Sequence, residues 1–279
     1  MSLECENLEI SVNGTATGFL GSANPSTSQP RWYFTCKEIE ENTPSRRDGV
    51  NLTTETKIRK CYCKLLQDLG KHLHLPQETI TTAIIFCQRF FLYQSLVKND
   101  FKAIAIACLL LATKTTGPPR SLEEITNFSF VMIHKKDPVA ALRIKQKEVL
   151  EQEEELIRRA ELLVLDTLNC DFNVALPYPT LVSALKKFDD DASWLAPTAW
   201  SLLRHWLQTS LYTQFEPHCL AVAALHFSSV ILKNWDISDM DIGWIEEFNV
   251  TYLQFTDFFS FPEIWHQVEE MRDLSNIVV

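Results

Sequence analysis

Glycine is scarce: seven residues in 279, and the only loose grouping is Gly14, Gly18 and Gly21 near the start. No Lys-Ser/Thr follows that grouping and no strand pattern precedes it, so the chain has no glycine-rich cradle for a phosphate. A G-x-S-x-G elbow, an H-E-x-x-H helix and a kinase loop set are also missing, which moves the reading from enzyme toward binding protein. Basic charge is short as well. With 26 Lys and Arg against 36 Asp and Glu the formal charge is -10, a field that repels phosphate backbones and anionic lipid. Neither a direct nucleic-acid partner nor a membrane is therefore expected. Basic groupings are limited to Arg46-Arg47, His134-Lys135-Lys136 and Lys186-Lys187. The longest apolar run, Ala103 to Ala112, is about half of a membrane span and fits a buried helix. The opening MSLECENLEI lacks a basic stretch followed by an apolar one, so no secretory signal is read there and the eight cysteines are expected to be free thiols. Cys61-x-Cys63 with His72-x-His74 is the most metal-like spacing, but residues two apart on a helix point to nearly opposite sides and cannot share an ion. No metal or cofactor is implied.

What is present is helical periodicity almost everywhere beyond Trp32. The pattern predicts helices over 35–41, 54–72, 77–94, 101–114, 121–133, 144–168, 178–188, 193–210, 217–233, 242–248 and 250–259. Thr35 precedes Glu38, and Ser121 precedes Glu124, at capping-box spacing. Pro76, Pro138, Pro177 and Pro197 sit at or near helix starts and breaks, where a missing N–H costs least. The fold class is all-α. Residues 1–30 carry Ser, Thr, Asn, Gly and Pro without periodicity and read as a disordered leader. An offset of 116 relates Leu65 to Leu181, Thr82-Ala83 to Thr198-Ala199, and Ala105, Ala107 and Leu109 to Ala221, Ala223 and Leu225 without a gap. Two copies of one helical unit are therefore expected, at 51–175 and 176–261, with a docking segment at 31–50 and a C-terminal extension at 262–279.

Two charges stand where apolar residues are expected. Ala107, Leu110, Leu111 and Lys114 follow one another along a single helical stripe. Leu150, Ile157, Glu161, Val164 and Leu168 trace another, and Glu161 interrupts it. An isolated charge near a core is costly unless paired, so the two could satisfy each other or jointly present a polar clamp. A lysine in a helix's last turn and a carboxylate at a stripe edge also have plainer readings, the macrodipole and solvent.

The segments RWYFTCKEIEENTPSRRDGV from Arg31 and LLQDLGKHLHLPQETITTAIIFCQRFFLYQS from Leu65 resemble the T/K branch of the transcriptional cyclins, plant T-type cyclins most. The resemblance implies two tandem five-helix cyclin boxes behind an N-terminal helix. It also implies that Lys114 and Glu161 grip the regulatory helix of a cyclin-dependent kinase, with Cys170 at the same interface; Trp32, Tyr33 and Phe34 are expected to dock a leader helix on the first box or on the kinase, against the plainer reading of an N-terminal helix that simply packs. The implied function is a nuclear regulatory subunit of a kinase that phosphorylates the RNA polymerase II C-terminal domain, with no catalysis of its own. The alternative is a diverged cyclin-fold assembly factor of the general transcription machinery. Two departures stand out: the family's K-V-E-E reads Lys114-Thr115-Thr116-Gly117, and Cys170 replaces a common aromatic.

Overall fold

A computed structural model describes residues 31–188, 192–233, 242–259, 261, 264–265 and 268–269. The expected leader and most of the C-terminal extension lie outside them. Among the described residues every regular element is helical. The chain divides into two compact units, one running to Val174 and reclaiming Gln208–Thr213, the other comprising Ala175–Leu207 and the chain from Gln214.

The first unit begins with α1 (Cys36–Glu41), whose N-cap Thr35 accepts from the Glu38 amide while the Glu38 carboxylate takes the Thr35 N–H, a complete capping box. The Thr35 N–H, the Arg31 guanidinium and the Thr35 hydroxyl all donate to that carboxylate and hold the Glu38 pKa down at about 2. The stretch Pro44-Ser45-Arg46-Arg47-Asp48-Gly49 follows. It forms α2 (Pro44–Arg47), capped by Thr43 with Pro at the first position, and closes through Gly49 at φ +91, a backbone that glycine adopts without a Cβ penalty. Ser45 is buried and its hydroxyl accepts from the Leu96 N–H at 3.0 Å. Arg46 donates to the carbonyls of Glu40 and Val50, so this arginine is structural. Next come α3 (Leu52–His72), α4 (Gln77–Tyr93), α5 (Phe101–Thr115), α6 (Leu122–Ile133), α7 (Ala140–Arg143) and α8 (Lys147–Thr167).

The apolar run seen in the sequence is α5. It is buried from Ala103 to Thr113 and packs against α3, α4, α6 and α8. Its alanines, three of them with no exposed surface, let the neighbouring helices approach closely. At its far end Gly117 meets α4. A Cβ there would lie 2.4 Å from Thr79 Oγ1.

The second unit contains α9 (Tyr178–Phe188), α10 (Ala196–Trp206), α11 (Pro217–Lys233) and α12 (Tyr252–Phe259). Here α11 is the central helix, packed on α9 and α10. The offset of 116 places α3 with α9, α4 with α10 and α5 with α11; Ala105, Ala107 and Leu109 and their counterparts Ala221, Ala223 and Leu225 are all fully buried. Trp206 fills the core between Phe227 and Phe258, with ring centroids 6.2 and 5.3 Å away.

The structure corrects several element boundaries. The helix expected over 193–210 is a 3₁₀ turn, Ala192–Leu195, followed by α10, which ends at Trp206. The segment Ile242–Phe248 is 3₁₀, and the helix expected from 144 begins at Lys147 after a separate α7. The thiol expectation holds for Cys36, Cys63, Cys87, Cys108, Cys170 and Cys219, but Cys61 is disulfide-bonded. Cys63, Cys87 and Cys108 are fully buried. Burial pushes the Cys63 pKa up to about 12, which makes that thiol a packing group and a poor nucleophile.

Candidate functional site

The threonine run around Lys114 explains its position. The hydroxyl of Thr113 donates to the Leu110 carbonyl, that of Thr115 to Leu111 and Ala112, and that of Thr116 to Ala112. These hydroxyls bond back onto carbonyls of their own helix's last turns, Ala112 also accepting the Thr116 N–H. They leave Lys114 as the one residue of the run that reaches across to α8.

On α8 the residues Ile157, Ala160, Leu163 and Val164 are buried. The ion pairs Arg158–Glu154 (2.7 Å) and Arg159–Glu155 (2.8 Å) occupy its solvated side. Glu161 lies at the edge of the buried stripe and receives Lys114 Nζ on Oε1 at 2.6 Å. The two halves of this pair differ: the Glu161 side chain is 13% exposed, the Lys114 side chain 49%. A recessed carboxylate thus holds a half-exposed ammonium at the rim where α5 meets α8.

The aromatic leader occupies a separate place on the same unit. Trp32 Nε1 donates to Asp171 Oδ2 at 2.7 Å. The Trp32 ring meets Tyr93 edge-on, with centroids 5.8 Å apart, and carries the Arg89 guanidinium 4.6 Å above it. Phe34 meets Tyr93 edge-on as well, lies under Arg31 at 4.4 Å, and donates its N–H to the Thr213 carbonyl at 2.8 Å. Tyr33, between them, is the exposed ring of the three. Cys170 is an exposed free thiol at φ +54 in the left-handed turn that ends α8. Its N–H bonds back to the Leu165 carbonyl, a Schellman-like closure, and the turn delivers Asp171 to Trp32.

The structure therefore brings Lys114 and Glu161 into one contact and gathers Trp32 and Phe34 into another. It shows no bond joining the two sets. Sequence reasoning missed Arg89, Tyr93 and Asp171, which hold the leader. Arg89 was in plain view in the R-F of the motif from Leu65. Its side chain is buried, it also donates to the Asn173 carbonyl at 3.2 Å, and burial lowers its pKa against the opposing pull of Tyr33 and Asp171. Among the described residues no group of three or more His, Cys, Asp or Glu is arranged to hold a metal, and no helix is long and apolar enough to cross a membrane.

A helical unit built around a small-residue central helix, followed by a second unit at a constant offset, places the chain among all-α proteins with tandem helical units. Residues 31–173 match the family model described as "Cyclin, N-terminal domain", and the chain belongs to the cyclin family. Within it, the chain is similar to plant T-type cyclins. It is 50% identical over 227 residues to Cyclin-T1-4 of Arabidopsis thaliana, covering 81% of this chain and 42% of that protein. It is 50% identical over 246 residues to Cyclin-T1-3 of Oryza sativa subsp. japonica, covering 88% and 49%. Against these relatives the chain spans less than half of their length. It is also 37% identical over 245 residues to Putative cyclin-T1-1 of Arabidopsis thaliana, covering 87% of this chain and 93% of that protein. In fold it resembles a chain in the crystal structure of the yeast RNA Pol II CTD kinase CTDK-1 complex, with TM-score 0.64, 20% identity, and coverage of 77% of this chain and 67% of that one.

Proposed function

We propose that the chain is the regulatory subunit of a transcriptional cyclin-dependent kinase, working in the nucleus and promoting phosphorylation of the RNA polymerase II C-terminal domain. It performs no chemistry itself. It binds the kinase arrangement in which regulatory helix and activation loop are productive better than the other arrangement, and the population shifts accordingly. The observation that carries this reading is the Lys114–Glu161 contact. The recessed carboxylate fixes the ammonium in one place, and the half-exposed ammonium retains donors for carbonyls at the end of a partner helix. The family membership and the likeness to plant T-type cyclins support the choice of partner class. Tyr33 and Cys170, both exposed on the same unit, are assigned to the rim of the same interface, with Trp32 and Phe34 acting beneath Tyr33 as its anchor.

The test is the affinity of the purified cyclin for its kinase, identified by mass after pulldown from nuclear extract. If kinase docking desolvates the pair fully, Lys114→Ala weakens the complex by on the order of 2 to 5 kcal/mol, and the lower bound is already about thirtyfold in Kd. The isolated cyclin loses at most about 1 kcal/mol of stability, as an exposed ion pair does. In a double-mutant cycle with Glu161→Ala the losses in kinase affinity are non-additive. Strictly additive losses would show that the two residues act separately, and no loss from either would end this assignment.

A further inference from the structure

The segment 134–147, joining α6 to α8, inverts the charge of the molecule. It holds Lys135, Lys136, Arg143, Lys145 and Lys147 against a single acid, Asp137, in a protein whose formal charge is -10. All five cations are exposed; Arg143 pairs with Asp137, and Lys147 with Glu151 of α8 at 3.7 Å. They belong to one body because the segment is tied: Arg143 Nη1 meets Asp137 Oδ2 at 2.7 Å, the guanidinium lies 5.7 Å over Phe130, and Phe130, Ala140 and Ile144 form a buried cluster with Val149 and Leu150 packed on it. Two large aliphatic side chains on this lobe remain in solvent, Val139 at 47% and Leu142 at 65% exposure.

We propose that this lobe docks a serine- or threonine-phosphorylated peptide, with phosphates on the cations and an apolar residue of the peptide against Val139 and Leu142. Charge complementarity names the ligand as anionic. The apolar component favours peptide over nucleic acid: single strands are held by exposed aromatic faces on which bases stack, whereas the large apolar side chains exposed within 134–147, Val139 and Leu142, are aliphatic, and the exposed ring of Phe128 lies outside that segment, on α6. Four of the five cations are lysines, compact charges that bind phosphate without demanding the planar fork geometry of arginine. The identity of the peptide rests on the kinase-subunit reading above, since a subunit that activates a serine/threonine kinase stands beside newly phosphorylated segments of its substrate. Retaining such a segment would favour repeated phosphorylation of one chain.

The experiment uses the full chain and a fluorescein-labelled peptide carrying two phosphoserines and a leucine, followed by anisotropy. The comparison probes are the unphosphorylated peptide, a peptide with glutamates in place of the phosphoserines, and a single-stranded RNA of equal charge. The phosphopeptide is expected to bind at least about tenfold more tightly than the other three, with affinity falling as salt rises. Lys135→Glu with Lys145→Glu should lower that affinity about tenfold or more. Leu142→Ser, which leaves the charge intact, should lower it a few-fold. Helical content by circular dichroism confirms that each variant folds. Equal binding of the unphosphorylated or glutamate peptide, tighter binding of RNA, or indifference to the charge reversal would each overturn the proposal. The two readings fail separately. A wild-type cyclin that activates its kinase yet binds no phosphopeptide overturns the docking lobe alone, and one that binds phosphopeptide without activating any kinase overturns the kinase-subunit reading alone.

Discussion

Gly117 occupies a place where a methyl group does not fit. The Thr79 side chain lies 2.4 to 3.2 Å from where its Cβ would stand, and Thr79 is fully buried with no hydrogen-bond partner for its hydroxyl. Gly117→Ala should therefore destabilise the first unit by about 1 to 3 kcal/mol through overpacking. Thr79→Ala, which removes an unpaired buried hydroxyl and makes room, should recover much of that loss in the double variant. Urea midpoints of the two singles and the double check the coupling. The same contact accounts for one departure from the family: a glutamate at position 117 would have to displace Thr79. In the second unit His226 is buried against Phe227 and Phe255, and burial lowers its pKa from 6.5 to about 4. The folded state keeps this imidazole neutral while the unfolded chain protonates it. Its contribution is thus fully present above pH 6.5 and is lost as pH falls from 6.5 through about 4. The loss is on the order of 3 kcal/mol at most. Denaturant midpoints between pH 7 and 4 should fall more steeply for the wild type than for His226→Gln; parallel curves would refute the assignment.

At the scale of elements, local chemistry was legible in the sequence and distant chemistry was not. Thr35 and Glu38 form the box their spacing announces because both partners sit within one turn. At Ser121 only half of the box forms: the Ser121 hydroxyl takes the Glu124 N–H, while the Glu124 carboxylate pairs with Arg120. Spacing alone does not reveal that competitor. The N-terminal docking segment was expected from three aromatic residues, yet its anchor, Asp171, lies 139 residues away and no periodicity connects them. Lys114 and Glu161 were each visible as a charge on an apolar stripe; their pairing became a definite expectation only through family resemblance, because a stripe does not say which helix faces it. The leader's attachment predicts that Trp32→Phe, which keeps the ring but deletes the indole N–H facing Asp171, costs the first unit about 1 to 3 kcal/mol, the range for a hydrogen bond to a carboxylate and its abandoned acceptor. Asp171→Asn should cost less, since an amide oxygen still accepts. Thermal melts of both variants test the order.

For the whole molecule, the repeat offset is legible because residues that fill the same role in two copies keep their chemistry, as the buried alanines and leucines of α5 and α11 do. It could not reveal that the first unit reclaims Gln208–Thr213 from within the second copy. That segment has its own 3₁₀ turn, Leu211–Thr213, and its carbonyls accept the Gln88 side-chain amide at 3.1 Å and the Phe34 N–H at 2.8 Å. With two separate cores, heat or urea should unfold the protein in more than one step, detectable as a calorimetric enthalpy larger than the van't Hoff value. A fragment ending at Val174 should be less stable than the first unit within the full chain, because these two donors lose their acceptors.

The borrowed segment also sets an order of events during synthesis. Domains usually fold as they leave the ribosome, the N-terminal one first, at roughly 5 to 20 residues per second. Here the first unit lacks two of its acceptors when Val174 emerges; its full stability waits for the carbonyls of Thr209 and Thr213. For some seconds the nascent chain carries a nearly complete helical unit with an unfinished seam, and much of the second unit is already being made. The protein's first fold is completed by residues that belong, in the order of translation, to its second.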